Sequence, residues 1–302
     1  AYAISLDVGR TDHALALTQP TGNPGAGGLQ GTAERQYILP QTTVFAMEYY
    51  WKVPSTFRMP KVGSTSRFSY TGCTIASGST TITRAAGVPS TWYGQPITIP
   101  GAGVAGASLN VWVRSVDSGT TATVSTAAST DATNVTITSV AGGNDTCKQV
   151  SVWGDVYTTS NRAKVTIVFV AASTLGNATN EVHIYRQGAA GSIKPYQING
   201  TTWPMPTASI WTPALAGTWR RMRIYINLGT GVNTGTIKMW YDDTPFVNYT
   251  GLPMWVVDDG SGNPIRNYFS RGRIQGPMNC VFHENTTFLM DDVKMYFSDP
   301  GW

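Results

Sequence analysis

The chain has 302 residues, of which 13% are charged and 11% aromatic, with 32 glycines and 17 prolines. This aromatic content excludes a disordered chain, and the many turn-forming and strand-forming residues favour an all-β protein. The net charge of +4 comes without runs of Lys or Arg, so nucleic acid is not expected as a partner.

The first zone of the sequence, residues 1–60, contains one clear strand candidate at 43–53. Phe45 and Met47 alternate there with Glu48 and Tyr50. Alternation of apolar and polar side chains is typical of a strand that is buried on one face. The zone therefore predicts part of a β-sheet.

The second zone, residues 63–143, has short Thr, Val and Ile runs separated by Gly, Ser and Pro. The five runs lie at 80–83, 96–99, 109–113, 121–125 and 134–138. Such spacing predicts a small antiparallel β domain, either a sandwich or a barrel, with Trp92 and Trp112 in its core.

The third zone returns to aromatic-rich strands, at 164–170, 181–186, 219–227, 236–241 and 288–297. Neither outer zone alone has enough strands for a two-sheet core. We therefore predict that residues 1–60 and 147–302 form one β-sandwich, interrupted by the inserted domain at 63–143. The longest apolar stretch, 165–172, is too short to span a bilayer, so membrane insertion is not expected.

Three blocks of the third zone resemble strands of concanavalin-like jelly rolls. They are 217–229 (GTWRRMRIYINLG), 235–245 (GTIKMWYDDTP) and 290–298 (MDDVKMYFS). Their order is similar to that of the polysaccharide lyase and lectin-like branches of that superfamily. The resemblance implies a jelly-roll β-sandwich.

Two blocks of the second zone resemble a β module of bacteriophage tail fibres and tailspikes. They are 94–109 (GQPITIPGAGVAGASL) and 114–129 (RSVDSGTTATVSTAAS), whose glycines suit turns that need positive φ. The resemblance implies a virion structural protein, a capsid decoration, head fibre or tail fibre protein, that contacts other virion proteins and forms a homo-oligomer.

Three strands of the third zone each have one polar face. The residues are Glu181, His183, Tyr185, Arg221, Arg223, Tyr225, Lys238 and Trp240. If the strands are neighbours, one surface carries all of these side chains. Three interpretations stay open: a face covered by a partner chain, a site for host-surface polysaccharide with Trp and Tyr stacked on sugar rings, and a catalytic site.

The catalytic alternative is a polysaccharide lyase, with His183, Tyr185, Arg223 and Tyr225 as the candidate residues. A His or Tyr would remove the C5 proton of a uronic acid, and an Arg would neutralise its carboxylate. No acidic pair lies at alternate positions of one strand, which argues against a glycosidase. The strand motifs usual in the lyase families are missing, so we expect a non-catalytic protein.

Cysteine and histidine usage predicts no metal or other cofactor. Cys73, Cys147 and Cys280 are far apart in sequence, as are the three histidines. One cysteine pair could form a disulfide, but the spacing matches neither a disulfide framework nor a zinc site.

Overall fold

The computed structural model describes residues 3–8, 13–19, 21–22, 35–62, 68–141, 146–154, 163–172, 175–185, 197–198, 201–202, 210–255, 267–274 and 282–302. Within these ranges the regular structure is β, apart from short 3-10 turns at Ser90–Trp92, Val104–Gly106 and Pro213–Leu215. No helix in the described ranges is long and apolar enough to cross a membrane.

The strands occur in three groups along the chain. The first group is β1 (Ala3–Val8), β2 (His13–Gln19), β3 (Arg35–Thr42) and β4 (Val44–Lys52). The second is β5 (Ser69–Ile75), β6 (Thr81–Arg84), β7 (Pro96–Ile99), β8 (Leu109–Val116), β9 (Thr121–Val124) and β10 (Ala132–Ser139). The third is β11 (Thr146–Trp153), β12 (Lys164–Ala171), β13 (Ala178–Tyr185), β14 (Gln197–Ile198), β15 (Thr201–Thr202), β16 (Arg220–Asn227), β17 (Gly235–Tyr241), β18 (Thr244–Leu252), β19 (Phe269–Ile274) and β20 (Thr286–Tyr296).

The first and third groups form a sandwich of two antiparallel sheets, apart from β14 and β15, which form a separate two-stranded sheet. One sheet has seven strands in the order β1-β2-β20-β4-β16-β17-β18, and the other has five in the order β13-β12-β11-β19-β3. Trp51 on β4 contacts Phe169 on β12, with ring centroids 5.1 Å apart, so the two sheets share one core. The all-β jelly-roll sandwich predicted from the sequence is confirmed.

Strand β4 shows how the sequence places the core. Phe45, Met47, Tyr49 and Trp51 are all buried in the sandwich core, and Glu48 between them lies on the opposite face. This is the period of two that a β-strand imposes on its side chains. The strand predicted at 43–53 is therefore confirmed, and its polar positions belong to the outer face of the seven-stranded sheet.

The second group of strands closes into a barrel in the order β10-β5-β6-β9-β8-β7. It has a hydrophobic cluster of its own that includes Trp92, Ile97 and Ile137. Closure leaves none of these strands with an unpaired edge. Strand β5 was not among the five predicted strands; Gly72 at φ +76° and several exposed side chains interrupt its apolar pattern.

Trp112 does not lie in the barrel cluster, which corrects the sequence-based prediction. Its indole is buried, and its Nε1 donates to the carbonyl oxygen of Gly22 at 2.8 Å. The side chain thus connects the barrel to the sandwich, because a buried indole N–H needs an acceptor.

Candidate functional site

The structure separates the residues predicted to share one surface. Glu181, His183 and Tyr185 lie on β13, at the edge of the five-stranded sheet. The arginines of β16 and the residues Lys238 and Trp240 of β17 lie in the seven-stranded sheet. Strands β16 and β17 are neighbours, as the prediction required, but β13 lies in the other sheet, so the eight residues do not share one surface.

The outer face of the seven-stranded sheet holds a network of ion pairs. Arg223 donates from Nε to Glu48 Oε2 at 2.7 Å and from Nη1 to Asp243 Oδ1 at 2.7 Å. Arg221 is paired with Asp243 and lies 4.0 Å from Glu48. Arg223, the arginine predicted to neutralise a substrate carboxylate, is thus already paired with acidic groups of the chain, as is Arg221.

Glu48 is the acidic centre of this network. Its side chain is 10% exposed, and Lys294 Nζ lies 3.5 Å from its Oε1, in addition to the contacts with the arginines. Burial raises the pKa of this carboxyl, but the hydrogen bond from Arg223 and the charges of Arg223, Lys294 and Arg221 together lower it below its usual value. Glu48 therefore remains an anion that balances the arginines.

Aromatic groups on the same face are occupied by the chain itself. Trp302 packs edge-on against Trp240, with ring centroids 5.8 Å apart, and the guanidinium of Arg223 lies 5.3 Å from the centre of the Trp302 ring. Tyr225 accepts a 3.3 Å hydrogen bond from Asn227 Nδ2, and Lys238 Nζ lies 5.9 Å from the Tyr225 ring centre. These contacts join the polar and aromatic side chains of the outer face to one another, so the face forms a structural layer.

The outer face of the five-stranded sheet presents a different polar row. Cross-strand pairing aligns Gln36, Arg273, Ser151, Thr166 and His183 in this order from β3 to β13. Residues paired directly across a sheet belong to the same face. A position predicted to be functional, 183, thus shares a row with an arginine that the sequence analysis did not select.

A second row runs parallel to the first. It aligns Arg271, Trp153, Lys164 and Tyr185 across β19, β11, β12 and β13. Position 181 on β13 pairs with Val168 and begins a third row. By strand register, position 183 therefore shares a row with Arg273, and position 185 shares one with Lys164, Trp153 and Arg271, and neither shares a row with residues of β16 or β17.

Side-chain contacts connect these rows. The guanidinium of Arg273 lies 4.5 Å from the centre of the Trp153 ring. Ser151 Oγ donates to Thr166 Oγ1 at 3.0 Å. All four side chains are buried, although they face away from the sandwich core. The polar row is therefore recessed in the protein, where its interactions are less screened by water.

Gln149 adds an unpaired amide to this recessed face. Cys147 and Val150 both lie in the core cluster, and β11 has an irregular register between Lys148 and Val150. The two intervening residues, Lys148 and Gln149, therefore both face outward, as in a β-bulge. Gln149 is 1% exposed, and neither Oε1 nor Nε2 has a hydrogen-bond partner.

Trp153 contributes a second unpaired donor, because its buried Nε1 also lacks a partner. Leaving a buried polar group unpaired costs about 1–3 kcal/mol, so most such groups in native proteins have a partner. Gln149 and Trp153 thus place two buried, unpaired groups on β11, on the same face as Arg273. No group of three His, Cys, Asp or Glu residues suited to a metal ion occurs in the part of the chain that the structure describes.

Sequence reasoning missed β3, β11 and β19, which carry most of this face. The missed residues are Gln149, Ser151, Trp153, Arg271 and Arg273. A signal was present in β11, where Val150 and Val152 alternate with Ser151 and Trp153. The sequence signal in β19 was weaker, because Gly272 separates its two arginines and interrupts the apolar pattern.

Comparisons with known proteins give distant structural matches. The alginate lyase Aly36B is 11% identical, with 98% of this chain and 86% of that chain covered and a TM-score of 0.44. The endo-β-1,4-glucuronan lyase of the fungus Trichoderma reesei is 11% identical over 98% and 87%, with a TM-score of 0.38. The carbohydrate recognition domain of Emp46p is 8% identical over 99% and 88%, with a TM-score of 0.32.

No family model matches the chain, and no curated protein matches it either. The structural matches are too distant to carry an argument about activity.

Proposed function

We propose that the protein is a polysaccharide lyase that acts on a uronic-acid-containing polymer, with its site on the outer face of the five-stranded sheet. One observation carries the proposal: the buried, unpaired amide of Gln149 and indole N–H of Trp153 lie on the same face as Arg273. Amide, indole and guanidinium donors together suit a sugar carboxylate and its hydroxyl groups.

The chemistry that this arrangement supports is β-elimination. Arg273 and the Gln149 amide would bind the uronate carboxylate, which makes the C5 proton more acidic. A base removes that proton, the C4–O bond breaks, and the leaving oxygen takes up a proton, so that a C4–C5 double bond forms. His183 and Tyr185 are proposed as base and acid from their strand positions in the two polar rows.

The spacing of the strands is compatible with this assignment. Position 183 on β13 and Arg273 on β19 are separated by three strand intervals, which is about 14 Å between backbones. The short side chains of Ser151 and Thr166 lie between these two positions in the row and leave room for one sugar residue.

The test is incubation of the full chain with alginate, glucuronan and other polyuronates while the absorbance of unsaturated uronate products is followed. We expect turnover in the wild-type protein, and a loss of at least 100-fold in Arg273→Ala and His183→Ala. Arg223→Gln, on the opposite sheet, is the matched control and should retain turnover per folded molecule.

If the protein binds the polymer but forms no product, its function is that of a lectin that uses the same face, and the lyase proposal is wrong. Turnover that is lost in Arg223→Gln but kept in Arg273→Ala would overturn the site assignment. The sequence-based expectation of a virion protein in a homo-oligomer, outside the cell, stays a prediction. Detection of the chain in purified phage particles by mass spectrometry would test it.

A further inference from the structure

The contact region between the barrel and the sandwich encloses a histidine that belongs to neither hydrophobic core. We define the junction by six residues: Arg58, Tyr93, Trp112, Arg114, His283 and Glu284. His283 precedes β20 and is 1% exposed. Neither of its ring nitrogens has a hydrogen-bond partner.

The barrel contacts this histidine from two elements. The Tyr93 ring packs edge-on against the imidazole, with centroids 4.9 Å apart. Arg114 on β8 donates from Nη1 to the carbonyl oxygen of His283. Because both residues belong to the barrel and His283 belongs to the sandwich, these contacts form only while the barrel is docked.

Charged groups surround His283 unevenly. Arg114 approaches from the barrel, and Arg58 follows β4 on the sandwich side, where its guanidinium lies 4.9 Å from the centre of the Tyr93 ring. Glu284 is the acidic neighbour found among the described residues, with Oε2 3.8 Å from His283 Nε2 and a partly exposed side chain. A proton added to His283 would thus add a cation to a buried position that already lies near two arginines.

We propose that His283 is an acid-sensitive latch: its protonation releases the barrel from the sandwich. A buried imidazole that lacks a hydrogen-bond acceptor is stable in the neutral form, and undocking returns it to water, where the charged form is solvated. The barrel is closed and has its own core, so it can separate without losing its fold.

The direction of the pH dependence follows from the same contacts. Burial first, and then the charges of Arg114 and Arg58, lower the pKa of His283 from 6.5 to about 4, against the opposing effect of Glu284. Docking is therefore strongest above pH 6.5 and weakens as the pH falls toward 4. The expected loss in the docking equilibrium is about 30-fold at pH 5 and about 300-fold below pH 4.

The experiment is small-angle scattering of the full chain between pH 7.5 and 4, with circular dichroism as a check that the β structure persists. We expect the maximum dimension to increase at low pH in the wild-type protein. His283→Gln carries no titratable group and should stay compact over the same range. An unchanged wild-type profile, or equal opening in His283→Gln, overturns the latch.

A second measurement covers the case in which His283→Gln does not fold. An NMR titration of the histidine side chains in the wild-type protein should find one that titrates together with the change in scattering. If all three histidines have titrated by pH 6 while the chain remains compact, the latch is also overturned. Neither experiment depends on catalytic turnover.

Discussion

The guanidinium of Arg273 lies 4.5 Å from the ring centre of Trp153, and the two side chains come from neighbouring strands of the five-stranded sheet. A similar contact occurs on the other sheet, where Arg223 lies 5.3 Å from the ring centre of Trp302. Arg223, however, is also paired with Glu48 and Asp243. These pairs make Arg223 part of a structural layer on the seven-stranded sheet, whereas the proposed ligand-binding face lies on the five-stranded sheet.

Replacing Gln149 by Leu should stabilise the protein by about 1 kcal/mol, because the change removes a buried polar group that has no partner. The same change should reduce turnover on polyuronates. Gln95→Leu is the matched control: Gln95 is also buried, but it accepts from the Lys61 amide and donates to the Met59 carbonyl.

Gln95→Leu should therefore destabilise the protein by about 1–3 kcal/mol in urea unfolding. If Gln149→Leu costs as much as Gln95→Leu, the Gln149 amide is satisfied in the protein. The proposed site would then lose its main support.

Glu48→Gln should lower the free energy of unfolding by about 1–3 kcal/mol at pH 7, since the partly buried Arg223 loses the carboxylate paired with it. Asp243→Asn, at an exposed carboxylate, should cost less than about 1 kcal/mol. Because the pKa of Glu48 is lowered in the folded state, its contribution is present above about pH 4.5 and is lost as the pH falls further.

Urea unfolding at several pH values measures this effect. The difference between wild type and Glu48→Gln should shrink below pH 4.5. A difference that grows with acidification would contradict the assignment of Glu48 as the anionic centre of the network.

Phe57→Ala should destabilise the protein by about 3–5 kcal/mol, because Phe57 is fully buried and contacts the rings of Phe169, Trp211, Phe282 and Phe288. The control is Ile38→Ala on the outer strand β3. Ile38 is 87% exposed, so its truncation should change stability by less than about 0.5 kcal/mol. Comparable losses in the two variants would rule out Phe57 as a central core residue.

Gly94→Ala should destabilise the junction. Gly94 has φ +75°, and a Cβ there would lie 2.8 Å from Arg58 Cβ and 3.0 Å from His283 Cε1. Gly101 has nearly the same φ, +78°, with no atom within 4 Å of the added Cβ. Both alanines incur the left-handed backbone cost of about 1–2 kcal/mol, so any additional loss in Gly94→Ala measures the close packing.

Calorimetry of the two glycine variants gives this comparison. Equal melting temperatures would show that the barrel and the sandwich tolerate a methyl group between them. The close approach of Arg58 and His283 to Gly94 would then have no energetic consequence.

Local patterns were sufficient to predict much of the fold. Alternation of apolar and polar residues over 43–53 predicted β4, and the change in composition at the second zone predicted a separate β unit there. Both features are local, because the period of two and the positions of turn residues are properties of neighbouring residues. The placement of Trp112 was not predictable in this way, because a buried tryptophan can belong to a core or to a contact between two units.

The sequence by itself determined which residues alternate on each strand, and so which polar side chains leave the core. Only the tertiary structure decided which strands are neighbours. His183 was grouped with Arg223 from alternation, but β13 and β16 belong to different sheets, and pairing instead aligns His183 with Thr166, Ser151 and Arg273. Sheet order depends on contacts between residues far apart in the chain, which no local period encodes.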